Sequence, residues 1–121
     1  MEEKLPRKTE KPWGYELLWA HTAKYVGKIL FVKKGHRLSM QYHEQKDESM
    51  YMYSGKASLE TVDKHNTPVS TVFEPGQTVW LPPLTRHRIE AIEDTLLLEV
   101  STPELEDVVR LSDDYGRMKG A

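Results

Sequence analysis

From Trp13 onward the chain reads as short β-type runs cut by turn-forming residues at intervals of roughly ten, with almost no helical periodicity. The runs predict strands over Gly14–Trp19, Tyr25–Lys33, Leu38–Tyr42, Glu48–Ser54, Lys56–Val62, Ser70–Phe73, Thr78–Leu81, His87–Ile92 and Leu96–Ser101. Between them lie Lys34-Gly35-His36, Ser54-Gly55-Lys56, Glu74-Pro75-Gly76 and Pro82-Pro83-Leu84-Thr85. Gly reaches positive φ there and Pro removes a ladder donor, so these are corners. Many short antiparallel strands must close or cover their edges, and for 121 residues a jelly roll or small barrel does so economically. The expected fold is therefore all-β, one domain over 1–121, with a polar N-terminal arm at 1–11 and a tail at 103–121 that packs on the barrel. In that tail, Glu104–Arg110 suits either a helical turn or an edge strand.

Charge narrows the partners. Seventeen Lys and Arg stand against nineteen Asp and Glu, a net charge of -2, so no single-sign field is available for a nucleic-acid backbone or an anionic membrane. No apolar run approaches the roughly 20 residues that span a bilayer, and Met1-Glu2-Glu3-Lys4 does not open a secretory signal. The chain has no cysteine, which fits a reducing cytoplasm and leaves only oxygen and nitrogen to bind a metal.

Residues two apart on a strand share a face, so Gln41 and His43 project together. After a short loop, Glu48 opens the next strand and brings a carboxylate beside that imidazole. His87 opens a later strand just past the Pro-rich corner and supplies the second imidazole from across the barrel. This donor set suits one divalent ion, whether zinc, manganese, iron, cobalt or nickel, and leaves room for water or a ligand. The plainer alternative gives each of the four its own role, on the surface or within the fold. His21, His36 and His65 have no such spacing and read as surface histidines, while Met50 and Met52 read as core.

These residues resemble the cupins. Gly35, Gln41, His43, Glu48 and Gly55 stand where the first cupin motif has its Gly, ligand pair, Glu and closing Gly; Gly76, Pro82 and His87 match the second motif. More narrowly the chain is similar to the type II mannose-6-phosphate isomerase domain, also found as the C-terminal part of bifunctional mannose-1-phosphate guanylyltransferases. The likeness runs through Lys11-Pro12-Trp13-Gly14-Tyr15-Glu16, Leu38-Ser39-Met40-Gln41-Tyr42-His43, His87-Arg88-Ile89-Glu90, Glu99-Val100 and Asp113-Asp114-Tyr115-Gly116-Arg117. Gln41, in place of the commoner first His, is itself a feature of that branch. Leu84 departs from the usual Gly of the second motif, and Ala91 from its usual Asn. The chain holds no Gly-rich nucleotide loop, so nucleotidyl transfer is not implied.

The resemblance implies metal-dependent aldose–ketose isomerisation of a mannose-6-phosphate-type sugar phosphate. Two further readings stand beside it: a non-catalytic cupin that binds a metal and a sugar or other metabolite, and an iron dioxygenase. Isomerisation requires a base besides Glu48, and strand parity points to none. Lys33, Arg37, Arg88 and Arg117, with Arg86, are the cations nearest in sequence for a phosphate. Alternation from His87 turns Arg86 and Arg88 away from the metal, as surface or interface charges. Tyr51 and Tyr53 face outward, as do Leu30 and Val32 if Ile29 and Phe31 face in, and such an apolar strip predicts a homodimer.

Overall fold

A computed structural model describes residues 3–117. Eleven strands run in chain order: β1 (Arg7–Lys11), β2 (Gly14–His21), β3 (Val26–Val32), β4 (Met40–Tyr42), β5 (Glu48–Ser54), β6 (Ala57–Val62), β7 (Pro68–Phe73), β8 (Thr78–Leu81), β9 (Arg86–Ala91), β10 (Thr95–Ser101) and β11 (Val109–Ser112). They form two antiparallel sheets, ordered β1-β2-β3-β10-β5-β8 and β11-β4-β9-β6-β7. The nine expected strands are all present within a few residues of their expected bounds. The polar arm contributes β1, which zips along β2 from Arg7 opposite Leu18 to Lys11 opposite Gly14. The tail makes a simple, non-helical turn at Leu105 and Glu106 and then adds β11 to the edge at β4, so of the two expected conformations the edge strand forms, at Val109 and Arg110. The rest of the tail, 118–121, lies outside the described residues. No helix among them is long and apolar enough to cross a membrane.

The core lies between the sheets. Leu30, Val32, Met50, Met52, Leu59, Phe73, Leu81, Ile89 and Leu97 are buried in one cluster together with Trp13 and Leu38. Met50 and Met52 point in, and Tyr51 and Tyr53 out, as alternation on β5 predicts. The expectation for β3 is reversed. Leu30 and Val32 face the core, while Phe31 stacks on Tyr15 with ring centroids 5.3 Å apart. The one charged residue of β3, Lys28, shares the face of Leu30 and Val32 and turns into the cavity to meet Glu16, so polarity marks the inner side and misleads a parity reading.

Two backbone positions hold corners of the fold. Gly55, between β5 and β6, has φ +99°, and a Cβ there would stand 2.2 Å from the Asp94 carbonyl oxygen. Leu84 adopts φ +70° in the turn before β9, the left-handed conformation that the Gly usual at this motif position reaches without strain. Its N–H donates to the His43 carbonyl at 2.7 Å, which ties the turn before His87 to the other imidazole-bearing segment.

Candidate metal centre

His43 follows β4 in one sheet, Glu48 begins β5 in the other, and His87 lies on β9. One ligand atom from each of these three buried residues lies within 4.8 Å of the other two. His43 Nε2 is 3.5 Å from Glu48 Oε2, and His87 Nε2 is 3.5 Å from Glu48 Oε1. The sequence separates these residues by up to forty-four positions; the packing of the two sheets brings them together.

The imidazoles are aimed from behind. His43 Nδ1 donates to the Asp107 carbonyl at 2.5 Å and His87 Nδ1 to the Thr85 carbonyl at 2.8 Å. A carbonyl only accepts, so each Nδ1 carries the ring proton and each Nε2 keeps its lone pair for the centre. Burial pushes the His87 imidazole below its ordinary value, which favours the neutral form that a metal requires. Burial also opposes ionisation of Glu48, but the positive charge around it, Lys46 at 3.0 Å included, outweighs burial and holds the carboxyl down at about 2.

Among the described residues, five buried side-chain polar atoms have no hydrogen-bond partner, and four of them belong to this cluster: His43 Nε2, His87 Nε2 and both Glu48 oxygens. Buried polar atoms are nearly always satisfied, so four lone-pair donors converging without a proton between them fit a divalent cation. Lys46 Nζ approaches Glu48 Oε2 to 3.0 Å but off hydrogen-bond geometry, an ion-pair contact that leaves the carboxylate free to ligate.

Gln41 pairs directly with His87 across β4 and β9 and lines the same cavity of about 110 Å³. Its Oε1 accepts from Ser39 Oγ at 2.7 Å. An amide oxygen has two lone pairs, so one remains available. Of the expected cations, Arg88 and Arg117 line the cavity, while Lys33 is exposed and Arg37 pairs outside it with Asp114 at 2.6 Å. Arg88 is not the surface charge that alternation predicts. It is buried, with Nε donating to the Leu38 carbonyl and a terminal nitrogen to Ser112 Oγ at the end of β11, so the segment before β4 and the tail cover the side chain. Arg86 bonds Asn66 on an outer turn. His21 meets Glu3, His36 stacks near Tyr115 and His65 is exposed, so none joins the site.

The cavity also holds residues that the sequence reading left out. Glu99 is buried in it, 3.1 Å from Lys46 Nζ, and Glu16 joins Lys28 at 2.6 Å and Lys11 at 3.2 Å. Burial, reinforced by Glu48, pushes the Glu99 carboxyl up. A signal for Glu99 existed: Thr95, Leu97, Glu99 and Ser101 alternate inward on β10. For Lys46, in the loop between His43 and Glu48, there was none.

An all-β double sheet enclosing a His, Glu and His cluster defines a cupin, and the structural matches are of that class. The chain belongs to the mannose-6-phosphate isomerase C-terminal family, whose model matches residues 1–113. No curated protein matches it in sequence. A point mutant of Bacillus subtilis oxalate decarboxylase superposes with a TM-score of 0.79 at 18% identity, over 88% of this chain and 30% of that one. KdgF from a Halomonas species superposes with a TM-score of 0.73 at 20% identity, over 83% of this chain and 88% of that one. A third match, at TM-score 0.70 and 18% identity over 80% of this chain and 27% of the other, comes from work on the Mn(II) centres of the Bacillus oxalate decarboxylase. The chain thus spans less than a third of the decarboxylase's length, and at these identities the likeness is one of fold.

Proposed function

We propose that this cupin is a metal-dependent sugar-phosphate isomerase, interconverting aldose and ketose on a substrate of the mannose 6-phosphate type. One observation carries the reading: a buried carboxyl, Glu99, lines the cavity of the metal-type cluster without belonging to it. Isomerisation moves a proton between adjacent carbons, and the acceptor must be a group not consumed as a ligand. Glu99 meets that need, and the upward push on its carboxyl brings it nearer the range in which a carboxylate both takes and returns a proton. Lys46, bonded to Glu99 and beside Glu48, holds the two carboxyls in register and balances their charge. In this reading Gln41 joins His43, Glu48 and His87 as the fourth ligand. When bound, a divalent ion supplies Lewis acidity toward a carbonyl and its neighbouring hydroxyl. The Mn(II) centres of the structurally similar decarboxylase make manganese the first ion to load, with zinc, iron, cobalt and nickel suited to the same donors.

The test is aldose–ketose conversion followed by NMR, with metal-loaded protein and a panel of hexose and pentose phosphates. Turnover of a phosphorylated hexose is expected, together with a loss of at least about 100-fold in Glu99→Gln at unchanged metal affinity. Glu99 is also engaged by Lys46, and that bond supports a second reading as a non-catalytic sugar-binding cupin. Binding without conversion across the panel would decide for it.

We also read the outer face of the six-stranded sheet as a homodimer contact. Leu17, Ile29, Leu98 and Tyr51 are neighbours in one row across β2, β3, β10 and β5, flanked by the exposed Tyr53, Trp80 and Val100.

A further inference from the structure

We infer that Arg110 is the anchor for a phosphate monoester on the ligand, with Arg117 beside it. The inference rests on the sugar-phosphate reading and names the part of the cavity that takes the anionic group. Six cations line the cavity, Lys11, Lys28, Lys46, Arg88, Arg110 and Arg117, against three carboxylates, Glu16, Glu48 and Glu99. Five of the six are accounted for. Lys11 and Lys28 share Glu16, Lys46 lies between Glu48 and Glu99, and Arg117 is held by Asp113 through two hydrogen bonds of 2.8 and 3.0 Å. Arg88 is satisfied by the Leu38 carbonyl and Ser112.

Arg110 remains. Its Nε is buried and has no hydrogen-bond partner among the described residues, the one orphaned polar atom outside the metal-type cluster. A desolvated guanidinium N–H without an acceptor is costly, and a ligand oxygen removes that cost. The position suits a ligand that also reaches the metal: Arg110 lies opposite Gln41 on β4, and Gln41 lies opposite His87 on β9. Burial and then the neighbouring Arg117 work against the charge on Arg110, a repulsion that a dianion between the two would relieve. The Arg110 fork matches the oxygens of a phosphate, while Arg117, its own fork held by Asp113, adds positive charge beside it.

The test is calorimetric titration of the manganese-loaded protein with mannose 6-phosphate and with mannose. Wild type is expected to prefer the phosphorylated sugar. Arg110→Gln should lose about 10- to 100-fold in affinity for mannose 6-phosphate, with mannose and manganese affinities unchanged. Arg110→Lys, which keeps the charge without the fork and serves if the glutamine variant fails to fold, should fall between the two. Arg86→Gln, on the outer turn, should match wild type. The inference is overturned if wild type shows no preference for the phosphorylated sugar, or if Arg110→Lys and any folded Arg110→Gln keep the full preference. Arg110-dependent binding with no isomerisation would uphold the anchor and sink the isomerase reading, so the two failures are distinguishable.

Discussion

His43 is held by a residue sixty-four positions away. The Asp107 carbonyl takes its Nδ1 proton, and the Asp107 carboxylate accepts backbone N–H bonds from Glu44, Gln45 and Lys46 at 3.0, 2.7 and 2.9 Å. One aspartate therefore shapes the loop joining two of the three clustered residues and sets the tautomer of one. Asp107→Ala frees three N–H groups and lets that carbonyl drift, so metal affinity should fall about 10-fold or more in titration with Mn(II), the range typical of groups that orient ligands. Unchanged affinity would show that the loop holds its own shape. Leu84 offers the opposite case. Its side chain is exposed and its φ of +70° is strained, so Leu84→Gly relieves about 1–2 kcal/mol in the folded state while loosening the unfolded chain by somewhat less. Denaturant unfolding should show the variant equal to or up to about 1 kcal/mol more stable than wild type, whereas Gly in an ordinary extended position destabilises.

At the scale of elements, β11 and the turn after it form a clasp over the cavity mouth. Asp113 accepts from the Arg117 guanidinium and backbone N–H, Arg88 reaches Ser112, and Arg37 pairs with Asp114. The hydrogen bonds from Arg117 outweigh burial and hold the Asp113 carboxyl down to about 2, below its ordinary 3.8. The sign follows from linkage: the folded state favours the ionised form, so the contribution is complete above the ordinary value and is lost as pH falls through about 2. Between about pH 4 and pH 2, stability should drop more steeply in wild type than in Asp113→Asn, read from chemical unfolding at a series of pH values. Parallel curves would mean that the clasp adds nothing. The clasp was only partly legible in the sequence. Its charged residues were visible, but strand or turn in 104–110 depended on whether an open sheet edge waited at β4.

For the whole molecule, the apolar outer face of the larger sheet predicts association. Analytical ultracentrifugation at micromolar concentration should show a dimer, and Val100→Glu, which sets a charge beside the apolar row, should shift it to monomer. A wild-type monomer would leave Trp80 and Tyr53 as isolated surface aromatics. The site lies between the inner faces of the two sheets, and here reading along the chain reached a limit. Strand positions, corners and the convergence of His43, Glu48 and His87 were legible because they depend on period-two alternation and turn chemistry, which are local. Glu99, Lys46 and Arg110 were not singled out. Each belongs to the cavity through what lies opposite it: Glu99 through Lys28 and Met50 on its neighbouring strands, Lys46 through Glu99 and Glu48, Arg110 through Gln41. The amino-acid order by itself determined an all-β chain with three donors able to share a cation. Only the tertiary structure decided which face of β3 is inside, which cations are spent on carboxylates and which one is left over, because burial and charge pairing are properties of neighbours in space.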